Sequence, residues 1–152
     1  NTPEEFLFHT KNISDDFVFQ EFISDEDGEF TCCVFRSASD EIRTQIFKRE
    51  LTGGYSGYGQ VIKNKKITIL LENISNKINL KGSINVQLRI KNNTPYVFEI
   101  NPRFSSTILF RHLFGFEDLI WSIEDLMHHK LSEYIPNENV TKFYKGFQEY
   151  IK

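Results

Sequence analysis

"SINVQLRIKNNTPYVFEINPRF", residues 83–104, holds two apolar runs separated by a polar tetrapeptide. Successive side chains of a strand point to opposite faces. Alternation therefore puts Asn85, Gln87 and Arg89 on one face of the first run, and Glu99 and Asn101 on one face of the second. The intervening KNNT predicts a hairpin turn centred on Asn92 and Asn93. About such a turn, residues whose numbers sum to roughly 185 or 186 face each other across an antiparallel ladder. Gln87 is then expected opposite Glu99, and Asn85 opposite Asn101.

Upstream of this hairpin, Thr2-Pro3-Glu4-Glu5 reads as a helix start, with a capping Thr, Pro in the first turn and acids after it. That helix is expected to end near Asn12. FVFQEFI, 17–23, reads as a buried strand, EFTCCVFRS, 29–37, as a second and EIRTQIFKREL, 41–51, as a third. TGGYSGYG, 52–59, carries four glycines and reads as a loop before a short strand, QVIKN. TILLENISNKINL, 68–80, has helical spacing, with Gly82 as its stop.

Downstream, SSTILFRHLFG, 105–115, predicts a helix capped by Ser and closed by Gly115. FEDLIWSIEDLMHHKL, 116–131, predicts a second helix and NVTKFYKGFQEYIK, 139–152, a third. The whole describes an α+β fold: a largely antiparallel sheet covered by helices.

A chain of 152 residues supports one domain with a real core. Fifteen Phe and six Tyr argue against disorder. A net charge of −3 with no arginine-rich stretch argues against nucleic acid as a partner. No apolar run has the length of a membrane span, and no signal peptide is apparent. Cys32 and Cys33 are adjacent, so on a strand they diverge and cannot bridge each other. That points to a reducing compartment, the cytoplasm. The chain begins at Asn1, which suggests a piece of a longer protein.

The hairpin collects Gln87, Glu99, Asn85 and Asn101 between apolar strands. Burying such groups costs several kcal/mol unless something binds them, on the order of 2–7 kcal/mol per group. Carboxylate and amide oxygens suit Mg2+, which takes one or two carboxylates together with phosphate oxygens. Arg103, just beyond, suits an anion. The bland alternative is an Asn-Pro turn with an exposed Glu99–Arg103 pair, and spacing alone leaves both open.

GSINVQLRI followed by PYVFEINPRFS resembles the metal-binding hairpin of the ATP-grasp superfamily, nearest to the domains of the carbamoyl phosphate synthetase large chain. FVFQEFI resembles the strand and hinge whose backbone holds adenine. DGEFTCCVF resembles the strand opened by the ribose-binding acid, and GGYSG the loop before the next strand. The likeness runs from about Phe17 to about Met127.

The resemblance implies roles for individual residues. Gln87 and Glu99 would bind metal, with Glu99 bridging two ions, and Asn101 would hold the second. Arg103 would contact the acceptor acid or the transferred phosphate. Glu21, Phe22 and Ile23 would read adenine through the hinge, and Glu29 would bind the ribose hydroxyls. Lys48 and Arg49 would reach phosphate, against the bland reading of a solvated strand end. The implied cofactors are ATP and two Mg2+ ions, with Mn2+ as a substitute.

The implied activity is that of an ATP-dependent ligase, activating a carboxylate as an acyl phosphate for attack by an amine or thiol. Ser106 stands where carbamoyl phosphate synthetases carry a second arginine, which puts bicarbonate as substrate in doubt. The family's phosphate-binding lysine and glycine-rich lid have no room before Phe17. The chain is therefore expected to be the C-terminal part of an ATP-grasp fold, with its N-terminal part elsewhere in the parent and homo-oligomer formation open. The rival reading is a non-catalytic nucleotide-binding or interaction module that keeps the fold.

Three further features read as structural. His128 and His129 sit at a helix end, where they would meet the last carbonyls rather than a metal. Trp121 lies on an apolar stripe and reads as core. Cys32 and Cys33 lack the partners of a nucleophile.

Overall fold

The computed structural model describes residues 2–11, 17–24, 26–139 and 141–146. Its centre is a six-stranded antiparallel sheet in the order β5-β4-β1-β2-β3-β6. The strands are β1 (Glu29–Arg36), β2 (Ile42–Thr52), β3 (Tyr55–Val61), β4 (Gly82–Lys91), β5 (Thr94–Asn101) and β6 (Lys142–Tyr144). The helices are α1 (Pro3–Thr10), α2 (Lys65–Lys77), α3 (Ile108–Leu113) and α4 (Asp118–Leu126). None of them is long and apolar enough to cross a membrane.

The alternation of β1 gives the sheet two unlike faces. Phe30, Cys32 and Val34 point to one side, where Ile67 and Leu71 of α2 pack on them together with Ile46, Val86 and Leu88. Ile67 and Leu71 are fully buried, which contributes roughly 1.5–3 kcal/mol each. Leu71→Ala would cost about 2–5 kcal/mol. Asn64 starts α2 by accepting from the backbone N–H groups of Lys66 and Ile67 at 3.0 and 3.2 Å, which satisfies two of the orphan donors of the first turn.

On the opposite face Cys33 and Phe35 meet Phe116 and Trp121. Beside them Phe47, Phe114 and Phe143 form an aromatic cluster. The two cysteines are buried and free, on opposite faces. Trp121 is core, with the Arg43 guanidinium 4.2 Å from its ring centroid.

The hairpin of β4 and β5 forms as its sequence predicts. Asn92 and Asn93 take φ of 52° and 60°, the left-handed values a two-residue hairpin turn needs. α1 starts with a full capping box between Thr2 and Glu5, and its expected end near Asn12 lies outside the described residues.

Other elements differ from the sequence expectation. Residues 17–23 form no strand: Phe17, Val18, Phe19 and Phe22 are exposed and the segment has no ladder partner among the described residues. An apolar run states a preference for burial but does not name a partner. The expected loop over 52–59 is a tight turn followed by a strand. Gly53 and Gly54 take φ of 59° and 84°, and the chain then continues directly as β3. Gly59 lies in that strand because the Phe143 ring packs where a Cβ would be.

The helix expected over 68–80 runs from Lys65 to Lys77 and is stopped by Asn79 at φ 49°, not by Gly82, which opens β4. α3 is shorter than 105–115. It is preceded by Thr107 without a side-chain cap, and closed at Gly115 as expected. α4 ends at Leu126 rather than Leu131, because His128 turns left-handed at φ 57° and the His129 N–H reaches the Glu124 carbonyl at 2.8 Å. The histidines thus close the helix through their backbone.

The third C-terminal helix is not found where residues are described. Lys142–Tyr144 is strand β6, paired with β3. Phe143 turns inward against Phe110 and Phe47 while its neighbours face out, a period of two that overrides the helical pattern.

Candidate active site

Cross-strand register assembles the site on the face opposite α2. Glu29 of β1 stands between Arg49 of β2 and Arg89 of β4. In the next row Thr31 faces Gln87, and Gln87 faces Glu99. In the row after that, Cys33 faces Asn85, and Asn85 faces Asn101. A β-bulge follows between Gln87 and Leu88. It leaves Phe98 without a direct counterpart and turns the strand end locally.

These groups form one hydrogen-bonded chain. Arg49 donates to Glu29 Oε1 through Nε at 3.0 Å and Nη2 at 2.7 Å. Arg89 donates to Glu29 Oε2 through Nε at 2.9 Å and Nη2 at 2.7 Å. Arg49 Nη2 also donates to Gln87 Oε1 at 2.7 Å. Gln87 Nε2 donates to Glu99 Oε1 at 3.2 Å, and Asn101 Nδ2 donates to the same oxygen at 2.5 Å. Glu29 is only 7% exposed, so its charge is held by two forks rather than by water. Glu99 is exposed.

Asn85 is consumed inside the sheet. It is buried and donates to Thr31 Oγ1 at 2.8 Å and to the Cys32 carbonyl at 3.1 Å.

The segment Gln20–Ile23, expected to be the hinge, lies beside this chain. Arg89 Nη1 donates to the Ile23 carbonyl at 2.6 Å, and the Arg89 guanidinium sits 5.1 Å from the Phe22 ring and 5.4 Å from that of Phe98. Gln20 Nε2 donates to the Phe98 carbonyl at 3.0 Å, and Lys91 pairs with Glu21 at 3.0 Å. Phe22, Ile23, Glu29, Arg49, Gln87, Glu99 and Asn101 are thus brought together, whereas Glu21 pairs with Lys91 at the turn end of the hairpin. Lys48 is not: it follows the opposite alternation to Arg49 and lies against Gly28.

Arg103 is exposed just past the strand end, where the Arg103 N–H bonds the Asn101 carbonyl at 2.8 Å. Its side chain donates to the Phe104 carbonyl at 3.1 Å. Among the described residues it forms no ion pair with Glu99.

One cluster beneath the site escaped the sequence reading. Arg111 of α3 is fully buried, in contact with Cys33 Sγ and 3.3 Å from Asp118 of α4. Ser83 Oγ donates to Asp118 at 2.5 Å. Burial pushes the Asp118 carboxyl up, against the pull of Arg111, and pushes the Cys33 thiol up to about 11. Arg111 and Asp118 lie in different helices with Gly115 between them, so no helical spacing marks them as a pair.

The donor set at the strand end is one carboxylate and two amides; among the described residues no three His, Cys, Asp or Glu gather to hold a metal ion. Such a set fits Mg2+, which completes its shell with phosphate oxygens and water. The fit asks the Asn101 and Gln87 amides to turn their oxygens toward Glu99, since each now offers it a nitrogen.

The family model described as "ATP-grasp in the biosynthetic pathway with Ter operon" matches residues 15–146, most of the chain. The chain belongs to the ATP-grasp family. The carbamoyl phosphate synthase large chains of a Thermoanaerobacter species and of Caldanaerobacter subterraneus are each 51% identical over 37 residues, covering 24% of this chain and 4% of theirs.

Solved structures share the fold. The N5-carboxyaminoimidazole ribonucleotide synthetase of Thermus thermophilus superposes with a TM-score of 0.69 at 13% identity, over 90% of this chain and 40% of that one. The phosphoribosylaminoimidazole carboxylase ATPase subunit of Aquifex aeolicus gives 0.64 at 16%, over 74% and 36%. The phosphoribosylglycinamide synthetase of Anaerococcus prevotii gives 0.56 at 17%, over 84% and 37%. This ATP-grasp chain therefore spans well under half the length of these neighbours. The α+β architecture expected from the order of elements is found, and it corresponds to part of the ATP-grasp fold.

Proposed function

We propose that this chain is the Mg·ATP-binding part of an ATP-dependent ligase that activates a carboxylate as an acyl phosphate for attack by an amine or thiol. The observation that carries the reading is the placement of Gln87, Glu99 and Asn101 on one face at one strand end, with Arg103 next in the chain and the hinge alongside. Glu99 and Asn101 would hold the metal, with Gln87 joining once its amide turns. When bound, Mg2+ supplies neutralisation of charge on the transferring phosphoryl group.

The chain's own residues do the remaining work. Hinge backbone at Glu21 to Ile23 receives the base. The side chain of Glu29 is spent on Arg49 and Arg89, so its part is to fix the floor on which the nucleotide lies. Arg103, charged and exposed, meets the carboxylate or the phosphoryl oxygens by a two-pronged contact. The carboxylate oxygen attacks the γ-phosphorus and ADP leaves. The amine or thiol then attacks the acyl carbon and phosphate leaves. The phosphate-binding lysine and lid would come from the rest of a longer parent chain.

The test is steady-state ADP release by that parent over a panel of acid and amine pairs. Glu99→Ala and Asn101→Ala are expected to cut kcat by about two or more orders of magnitude, because they act on charge that develops in the transition state. An acid-dependent ADP release that survives Glu99→Ala would overturn the assignment. Nucleotide binding with no acid-dependent release would favour the non-catalytic module.

A further inference from the structure

Two amides flank the Glu99 carboxylate, and they are held differently. Among the described residues the Asn101 side chain bonds only Glu99. The Gln87 amide is held at both ends. Its oxygen accepts from Arg49 Nη2 at 2.7 Å, and its nitrogen donates to Glu99 Oε1 at 3.2 Å and to Asn85 Oδ1 at 3.5 Å. A guanidinium can only donate, so the end of Gln87 that meets Arg49 has to be its oxygen.

Arg49 is itself fixed. It forks onto Glu29 of β1, its Nη1 reaches Ser56 Oγ of β3 at 3.3 Å, and its side chain is only 10% exposed. From β2 it reaches across β1 to Gln87 on β4. A hydrogen bond from a charged donor is stronger than one between neutral groups. Turning the Gln87 oxygen toward Glu99 gives that bond up, whereas Asn101 gives up only its contact with the carboxylate that would share the metal. One amide of the site is free to turn and the other is locked.

We propose that Arg49 is a latch that keeps the Gln87 oxygen out of the metal's shell, so that the nucleotide-free site offers a divalent cation only Glu99 and Asn101. The inference rests on the metal reading above and adds a selectivity to it. Mg2+ demands octahedral oxygen and gives up water reluctantly. Two protein oxygens hold the aqueous ion weakly, whereas an ion that arrives with phosphate oxygens has less need of a third. The latch thereby favours metal carried by a nucleotide over free cation. Arg49 acts through Gln87, as a positioning residue, rather than on the phosphate that the resemblance implied for it.

The experiment is a titration of the nucleotide-free chain with Mn2+ alone, binding being read as loss of the free-ion EPR signal. Arg49→Lys keeps a charge beside Glu29 but not the fork shared with Gln87, and is expected to tighten Mn2+ several-fold. Arg49→Met is expected to tighten it by about tenfold or more. Gln87→Leu is expected to weaken Mn2+ by about twofold or less with Arg49 in place and by about tenfold in the Arg49→Met background, a coupling that charge removal alone does not produce. A gain in Arg49→Met that persists in full in the Gln87→Leu background would overturn the latch. So would the absence of a gain in both Arg49 variants, or an equal loss from Gln87→Leu in the two backgrounds. Mn2+ binding that ignores Glu99→Ala would instead overturn the metal reading itself, and the latch with it.

Discussion

Arg49 Nη2 bonds Glu29 Oε1 and Gln87 Oε1 at 2.7 Å each, so one guanidinium fixes a buried carboxylate and the orientation of the neighbouring amide. A turned Gln87 amide would set N–H against N–H at Arg49. Gln87 therefore offers nitrogen to Glu99 for as long as Arg49 holds its oxygen.

The same geometry makes Glu29 a residue of folding before it is one of binding. Glu29→Ala would leave Arg49 and Arg89 largely buried with no counter-charge between them. We expect a loss of about 3–5 kcal/mol in urea unfolding, the usual cost of breaking a buried pair by removing one partner. Arg49→Lys is expected to lose part of that, because one ammonium cannot reproduce a fork shared between Glu29 and Gln87. A Glu29→Ala midpoint equal to the wild type would show that the clamp is not formed.

Cys33 gives a pH dependence. Its thiol is pushed from 9.0 to about 11 by burial, only partly offset by Arg111. The native state then binds more protons than the unfolded state between those values, so stability falls as pH rises from 9 towards 11. Two pH units on one group correspond to about 3 kcal/mol. Unfolding free energies measured from pH 8 to 11 are expected to decline in the wild type and to decline less steeply in Cys33→Ala. Since Cys32 is also pushed upward by burial, some slope remains in that variant. A flat wild-type profile would contradict the burial of both thiols.

Arg111 and Asp118 join α3 to α4 where neither side chain reaches water. Arg111→Met is expected to cost about 3–5 kcal/mol, since it strands the Asp118 carboxylate, and Asp118→Asn less, because burial already disfavours the ionised carboxyl. The double variant is expected to cost clearly less than the sum, with a coupling of about 0.5–3 kcal/mol. Asp118 adds a second pH signature. Its raised carboxyl makes stability fall as pH rises upward from 3.8, and Asp118→Asn removes that slope. Additive losses would mean that the two residues do not share an interaction.

Local pattern made the hairpin legible. Alternation and the Asn92-Asn93 turn brought Gln87 near Glu99 and Asn85 near Asn101, and the bulge at Phe98 then moves the register set by the turn by one residue, so that these pairs face each other directly. What was not legible depended on distant partners. Phe17 to Ile23 reads as strand, yet finds no ladder among the described residues. Phe143 reads as helical, yet is drawn into β6 by Phe47 and Phe110. In the site, the family resemblance implied Glu29 as a ribose ligand, and its engagement by two arginines from the flanking strands follows only from sheet order. Lys48 and Arg49 look equivalent as neighbours, and the pleat separates them.

The central claim is that the end of β4 and β5 holds a divalent metal with nucleotide phosphate. Mn2+ added with a non-hydrolysable ATP analogue to the 15N-labelled chain tests it directly, because the ion broadens amide resonances around the place where it sits. We expect broadening centred on Gln87, Glu99 and Asn101, reaching Arg103 and fading toward Gln45, and we expect Glu99→Ala to abolish it while leaving the rest of the spectrum in place. Broadening that persists unchanged in Glu99→Ala, or that centres elsewhere on the sheet, would contradict the account.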